Sequence, residues 1–326
     1  MSPEQEPQSD SETPETSSKT SPETPETKLT PEQEEEVESL RQEIEDIKEK
    51  GLDSPGAISQ LNEKIEALSA IFTPQPEEIQ IKEKIQIKEE AELKELFGPS
   101  FLGTNETEQA YTLTSGEKLF DFTPEQQRTI QEKLQAKLTE PDIEQFLQTH
   151  TKEQLQQNYL FVLRCQRFSD NTPVTMKNLA DKLQPDFTQQ NQGKILWKVD
   201  WYANEDFYQQ ETTPTDFSWA IVKKEPVAKN QDYHTQEQTI KDDAQQNQLN
   251  PSKTQRRLAV EALSDSLTYF RLTRQRLLPA GLYDWTRTQA SDGCLVDLGC
   301  FDADGFYVYR WNRRDSHGPL GVCPSR

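Results

Sequence analysis

Near its C-terminus the chain reads LVDLGCFDADGFYVYRW over residues 295–311. Two apolar, aromatic-rich runs, Leu295 to Phe301 and Phe306 to Trp311, lie on either side of a short stretch of Asp and Gly. Runs of this length between turn-forming residues are typical of β-strands. Leu282 to Thr288 and Leu320 to Cys323 follow the same pattern, so we predict a group of short strands at this end of the chain.

Further upstream, strand patterns alternate with helix patterns. Apolar runs rich in β-branched and aromatic residues predict strands over residues 159–166, 194–202 and 217–222. Apolar spacings of three and four predict helices over residues 172–183 and 252–272. The polar, Gln-rich residues 226–252 indicate a loop or an exposed helix. This order of elements is an α+β arrangement.

The first half of the chain has a different character. Residues 1–29 are mostly Pro, Glu, Ser and Thr, and they cannot bury enough apolar surface to offset chain entropy. We therefore predict a disordered acidic tail over 1–29. Residues 98–158 are predicted to form a helical linker region, with helix starts at Thr123-Pro124 and at Pro141.

Residues 30–97 are predicted to form a helical hairpin or spacer. Helix starts at Thr30-Pro31 and Ser54-Pro55 each precede a narrow apolar stripe. The stripes contain Val37, Leu40, Ile44 and Ile47, and then Ile58, Leu61, Ile65 and Leu68. A hairpin this thin either acts as a local spacer or packs on another surface, which includes self-association with a second copy as a coiled coil.

Composition and charge limit the classes of function. With 326 residues, 32% of them hydrophobic, and a mean hydropathy of −0.93, the chain is not one uniform globule. Residues 254–326 carry ten Arg and eight acids, or +2, so a total of −21 leaves −23 on residues 1–253. An acidic N-terminal part repels phosphates, and we expect no nucleic-acid partner.

No apolar run approaches the ~18 residues of a membrane span, and the N-terminus lacks the basic start and apolar core of a signal peptide. We therefore expect a cytoplasmic protein by default, with surface display by another route left open.

The last 37 residues differ in composition from all that precedes them. From Ala290 to Arg326 there is no Lys, Glu, Gln or Met, yet the segment holds three of the four Cys and five of the twelve Gly. Its aromatic and short polar residues are typical of recognition surfaces. A compact β-rich core, which needs few Lys and Glu, is the alternative explanation.

Metal and redox chemistry have weak signals in this segment. Asp302, Asp304 and Gly305 resemble part of a calcium loop, but the downstream Glu ligand is missing. The remaining candidates for a zinc site or thiol oxidation are Cys294, Cys300, His317 and Cys323. No pair among them has the close spacing of a structural zinc site or of a reactive thiol motif. We expect no cofactor and no metal.

A framework of residues near the C-terminus carries a family resemblance. It comprises Tyr283 to Thr288, Ser291 to Gly293, Leu295, Val296, Gly299, Phe301, Gly305, Val308, Arg310, Trp311 and Leu320 to Arg326. This pattern resembles the variable proteins of diversity-generating retroelements, whose C-type-lectin-like domain is related to the sulfatase-modifying-factor (formylglycine-generating) family. The likeness is strongest over Leu277 to Arg326 and extends back to Tyr159, which implies a C-type-lectin-like domain over 159–326.

In that family, adenine-directed mutagenesis turns AAY codons into NNY codons, which never encode Lys, Glu, Gln, Met or Trp. The resemblance therefore accounts for the residue types missing after Ala290 and leaves Trp311 as fixed framework. It implies a diversified, solvent-facing ligand-binding surface within about 290–326. By position this surface would contain Asp297, Cys300, Asp302, Asp304, Phe306, Tyr307, Tyr309, Asn312, Arg313, Arg314, Asp315, Ser316, His317 and Cys323.

The resemblance implies a non-enzymatic protein that binds a ligand, and we expect that ligand to be another protein. The alternative is a cysteine oxidoreductase of the sulfatase-modifying-factor type with Cys300 and Cys323 as its redox pair. A third reading is a structural protein that assembles through the N-terminal helices.

Overall fold

The structure of the protein, a computed structural model, describes residues 31–49, 64, 89–279 and 281–326. Contacts group the chain into two units, Met1–Lys84 and Ile85–Arg326. The predicted disordered tail lies outside the described residues, as does the predicted second helix of the hairpin apart from Lys64.

Helix α1 spans Pro31–Glu49 in the first unit. Proline suits the first helical position because its fixed φ matches a helix and its missing N–H has no partner there. Val37 and Ile44 of the apolar stripe are buried, and Lys64 pairs with Glu43 at 2.6 Å. The predicted start of this helix is confirmed.

Short helices dominate the described residues 89–158 of the second unit. In chain order these elements are α2 (Glu90–Phe97), a 3-10 turn (Gly98–Ser100), β1 (Phe101–Leu102), α3 (Thr104–Ala110), α4 (Pro124–Leu138), α5 (Pro141–Thr149) and α6 (Lys152–Asn158). Helices α4 and α6 begin with capping boxes in which Thr123 and Thr151 exchange hydrogen bonds with a Gln three residues on. The predicted helices from Pro124 and Pro141 are confirmed.

The first sheet has the order β1-β2-β3. Its central strand β2 (Tyr159–Cys165) is parallel to β1 and antiparallel to β3 (Phe217–Lys223). Every residue of β2 is buried, as expected for a continuous apolar run covered on both faces. Both predicted strands are confirmed.

Further helices follow β2 in the chain, two before β3 and two between β3 and the second sheet. They are α7 (Met176–Gln189), α8 (Asp206–Gln209), α9 (Tyr233–Gln246) and α10 (Ala259–Thr273). Residues 226–252 were predicted to form either a loop or an exposed helix, and helix α9 shows that a helix forms there. Helix α10 confirms the predicted amphipathic helix but begins later, because Gln255 pairs with Ser325 in an extended segment. Nearly all of α10 is buried, including Glu261 and Asp265 on its polar face.

The second sheet has the order β6-β5-β4-β7 and confirms the C-terminal strands. The strands are β4 (Tyr283–Gln289), β5 (Leu295–Asp302), β6 (Gly305–Trp311) and β7 (Leu320–Gly321). Strands β4, β5 and β6 are antiparallel neighbours, and β7 runs parallel to β4. Register shifts between Gly299 and Asp302, where Cys300 has a left-handed φ of 49°. With both sheets and helices in one unit, the fold is α+β.

The strand predicted over 194–202 is wrong. This segment forms a single bridge, Leu196 to Phe306, and then turns away. Backbone bonds from Lys194 N to Ala303 O (3.0 Å) and from Trp197 N to Phe306 O (2.9 Å) fasten it along the edge of β6. Its aromatic and β-branched composition imitates a strand, but only a short stretch finds a partner.

The compact unit includes the helices that were predicted to form a linker over 98–158. Leu93, Ile130 and Phe146 belong to the same buried cluster as Phe161 of β2 and Leu263 of α10. The compact unit therefore extends over Ile85–Arg326, and the helices before β2 complete its core. In the described parts of the chain no helix is both long and apolar enough to cross a membrane.

A chain of buried charges connects the sheets through α10. Arg164 of β2 forms a bidentate pair with Asp265 of α10, at 2.7 and 3.1 Å. Arg257 bridges Asp265 (3.0 Å) and Asp284 of β4 (2.7 Å). Each charge has an opposite partner, which is the condition under which buried ions are tolerated. The pattern fixes how β4 is oriented on α10.

Residues 322–326 are held between other segments. Val322 bonds to the backbone of Val227, Ser325 to that of Gln255, and Arg326 to that of Ile221 in β3. All five residues are buried. The chain that follows the predicted variable residues is therefore fixed in the body of the domain.

Candidate ligand-binding surface

The predicted site residues are concentrated on β5, β6 and the loop 312–319. Cross-strand partners share a face of a sheet, so the register of β4, β5 and β6 decides which side chains lie together. Tyr283 pairs with Gly299, which pairs with Tyr307. Asp297 pairs with Tyr309. These residues therefore belong to one face of the second sheet.

Four aromatic rings on and beside this face form a continuous row, which we call the aromatic row: Trp197, Tyr307, Tyr309 and Tyr283. Consecutive ring centroids are 4.6, 6.2 and 6.0 Å apart in that order. Trp197 is 39% exposed and Tyr309 38% exposed, and nearby Val199 is 41% exposed. Among the described residues, these three are the exposed large hydrophobic side chains, and two of them belong to the row.

Sequence reasoning missed Trp197 and Val199, which precede the C-terminal segment. The available signal was the polar residues between them and around them, Lys194, Lys198 and Asp200, which indicate exposure. Gly193 and Gly305 allow this segment to approach the β5–β6 turn. Both have left-handed φ, and a Cβ on either would collide with the opposite backbone.

The loop after β6 supplies seven consecutive exposed residues, from Asn312 to Gly318. Asn312 N donates to Asp315 Oδ2 at 2.8 Å, and Asp315 N donates to Asn312 O at 2.9 Å. His317 stacks on Trp311 with centroids 5.1 Å apart. Arg313 O accepts a bond from Tyr233 N of α9 at 3.1 Å. The loop is exposed, but the hydrogen bonds of Asn312 and Arg313 and the ring contact of His317 fix its backbone.

Eleven of the fourteen predicted positions are at least partly exposed, and three are buried. Asp297, Phe306 and Cys323 therefore do not belong to the solvent-facing surface, which corrects their assignment. Phe306 points into the core and stacks on Phe301 at 4.0 Å. Cys323 lies in the fixed segment 322–326, where its N–H donates to Asp284 Oδ1 at 2.7 Å. The binding role of the exposed positions stays a prediction.

Asp297 belongs to the same sheet face as Tyr309 but is only 1% exposed. Burial raises the pKa of its carboxyl to about 8, although a hydrogen bond with the Trp311 side chain opposes the shift. Its Oδ1 has no hydrogen-bond partner. Burial, reinforced by Cys300, also raises the pKa of the Tyr283 hydroxyl. The Asp297 carboxyl and the Tyr283 hydroxyl are thus both neutral at pH 7, although each can ionise at higher pH.

The cysteines are free thiols in the structure. Cys300 N donates to Leu282 O at the start of β4, whereas the Cys323 thiol is fully buried and contacts Lys224 O at 3.6 Å. Burial raises the pKa of the Cys323 thiol well above its usual value. Burial therefore favours the protonated thiol of Cys323 over its thiolate. The redox-pair alternative stays a prediction.

No group of three His, Cys, Asp or Glu within the described ranges is arranged to hold a metal ion. The carboxylate of Asp302 has a local role instead, because its Oδ1 accepts the backbone N–H of Asp304 at 2.7 Å. This bond closes the turn between β5 and β6.

No family model, curated protein or solved structure matches the chain.

Proposed function

We propose that this protein is a non-enzymatic recognition protein whose exposed C-terminal residues are diversified by a retroelement to bind a ligand, and that the ligand is another protein. The domain that carries this surface would be C-type-lectin-like. The observation that carries the proposal is the coincidence of two independent features. The segment without Lys, Glu, Gln and Met supplies Tyr307 and Tyr309, two of the four rings of the aromatic row, and the whole exposed loop.

The backbone under this surface suits such a role. Variable side chains can change without refolding only if the strands beneath them are held by residues that do not change. Here the inward residues Leu298, Phe301 and Val308 are core, and the buried pair Arg257 with Asp284 holds β4. Rigid aromatic anchors and short polar side chains on such a frame are typical of binding surfaces.

Sequencing the DNA that follows the gene tests the diversification. We expect a near-copy of the segment encoding residues 290–326, differing at adenines of the copy, close to a reverse-transcriptase gene. Absence of such a copy would contradict the proposal, and the composition of the segment would then reflect a small β-rich core.

A display library tests recognition separately. Positions 302, 304, 307, 309 and 312–317 are varied with NNY codons, and folded clones are selected against a panel of proteins. We expect most clones to fold and different clones to bind different proteins. The control library varies the inward positions Leu298, Phe301, Phe306 and Val308, and most of its clones should fail to fold. Equal loss of folding in both libraries would contradict the proposal.

A further inference from the structure

Cationic side chains lie over Trp197 and Trp201, whereas none lies over the tyrosine rings of the aromatic row among the described residues. Arg310 lies over Trp201 with its guanidinium 4.4 Å from the ring centroid, and Lys198 lies 5.9 Å from that of Trp197. Across the described residues, no Lys or Arg covers the three tyrosines of the row. Trp197 covers one face of Tyr307, but no cation of the described residues occupies these rings, and the exposed ring of Tyr309 can accept one from outside the chain.

Both of these cations, Lys198 and Arg310, are already paired with a carboxylate. Lys198 Nζ pairs with Asp200 at 2.9 Å, and Arg310 Nε pairs with Asp292 at 2.8 Å. Each of these cations thus has a carboxylate partner within the chain. Neither leaves an excess of positive charge that would repel a second cation.

Asp302 and Asp304, by contrast, form no ion pair with any described residue. Both lie at the turn where β6 begins, and their negative charges act, after partial burial, to raise the pKa of the Tyr307 hydroxyl. Unpaired carboxylates beside open ring faces create a negative potential at the Tyr307 end of the row.

A third carboxyl, that of Asp297, belongs to the same sheet face as the row. Asp297 shares the sheet face of Tyr309 through their cross-strand pairing, and its Oδ1 is buried without a partner. A buried polar atom without a partner is rare in native proteins and is costly to leave so. Since burial keeps this carboxyl protonated at pH 7, the negative potential beside the row comes from Asp302 and Asp304.

We propose that the aromatic row binds an arginine side chain presented by a protein partner. The inference rests on the proposed function, since it names the partner group that the recognition surface takes. A planar guanidinium can stack flat on a ring and bond to carboxylates at its edge, whereas an ammonium cannot. The chain itself uses this contact, because Arg256 lies 3.9 Å from the Tyr233 centroid.

Three model peptides test the proposal on the full chain. They are acetyl-Gly-Arg-Gly-amide, its lysine counterpart and its citrulline counterpart, which keeps the planar shape but loses the charge. Binding is measured by saturation-transfer NMR and by titration. We expect the arginine peptide to bind about tenfold or more tightly than the citrulline peptide, and more tightly than the lysine peptide. Equal binding of arginine and citrulline, or of arginine and lysine, would overturn the arginine assignment.

Substitutions test whether the arginine peptide binds at the aromatic row. Tyr309→Ala, and separately Asp302→Asn with Asp304→Asn, should each weaken binding of the arginine peptide by at least about threefold. Asp121→Asn with Asp181→Asn, two exposed carboxylates outside the second sheet, is the charge-matched control and should leave binding unchanged, with thermal melts confirming that every variant is folded. Unchanged binding in both site variants would place the arginine elsewhere and overturn the proposal.

Failure of this inference differs from failure of the proposed function. A DNA template copy together with no charge-dependent peptide binding would retain diversified recognition and reject the arginine site. Charge-dependent binding at Tyr309 without any template copy would retain the site and reject diversification.

Discussion

The indole of Trp197 lies nearly parallel to the ring of Tyr307, with centroids 4.6 Å apart and planes inclined by 14°. The contact joins a segment that precedes the second sheet to the exposed face of β6. Trp197 lies outside residues 290–326, so under the proposed function it is constant while Tyr307 varies. The recognition surface would then combine a fixed aromatic anchor with changeable neighbours.

Exposure of Trp197 predicts that it matters for binding and little for folding. Trp197→Ala should lower the free energy of unfolding by less than about 1 kcal/mol, because much of the ring already faces water. Trp285→Ala is the matched control, since that ring is fully buried, and should cost about 3–5 kcal/mol. Chemical denaturation measures both. Comparable losses in the two variants would contradict the exposed placement of Trp197.

Substitutions of outward and inward residues of β6 should likewise differ in their effect on stability. Replacing Tyr307, Tyr309 and His317 together by Ala should lower the melting temperature by less than about 4 °C, since their side chains are at least partly exposed. The pair Phe306→Ala with Val308→Ala removes buried side chains from the same strand and should lower it several times more. Calorimetry measures both melting temperatures. A large drop in the triple variant would contradict the placement of Tyr307, Tyr309 and His317 on the surface.

Asp297 should make the protein less stable as pH rises from about 4 to about 8. The unfolded chain loses this proton near its ordinary value of 3.8, whereas burial lets the folded protein keep it up to about pH 8. Over this window the folded state binds more protons, so the free energy of unfolding falls by up to about 1.4 kcal/mol per pH unit.

Asp297→Asn isolates this effect, because an amide cannot ionise. The difference in unfolding free energy between variant and wild type should move in favour of the variant from pH 5 to pH 8. Burial also raises the pKa of Glu211, to about 7, and that residue gives the same sign in both proteins. A difference that stays constant across this range would contradict a neutral, buried Asp297.

The left-handed backbone at Cys300 predicts which residues that exposed position accepts. At a φ of 49°, Cys300→Asn and Cys300→Gly should keep or slightly raise stability, since Asn and Gly adopt this conformation readily. Cys300→Val should cost about 1–3 kcal/mol, because a β-branched side chain is strained there. Denaturation of the three variants checks the order, and a Val variant as stable as the Asn variant would refute it.

The sequence by itself determined the local elements. Continuous apolar runs made β2 and β3 predictable, and Thr-Pro starts with a Gln three residues on made α4 predictable, because these signals depend only on neighbours along the chain. The segment without Lys, Glu, Gln and Met also pointed to the exposed loop Asn312 to His317.

Only the tertiary structure decided which side chains share a surface. Strand register turned Phe306 into the core beside the partly exposed Tyr307, and Asp297 is buried although it shares a sheet face with the exposed Tyr309. The pairing of residues 322–326 with β3 and its neighbours buried Cys323. Trp197 joined the surface because its segment meets β6 at a single bridge. These outcomes depend on contacts between residues far apart in sequence, and local patterns carry no information about which partner each strand will find.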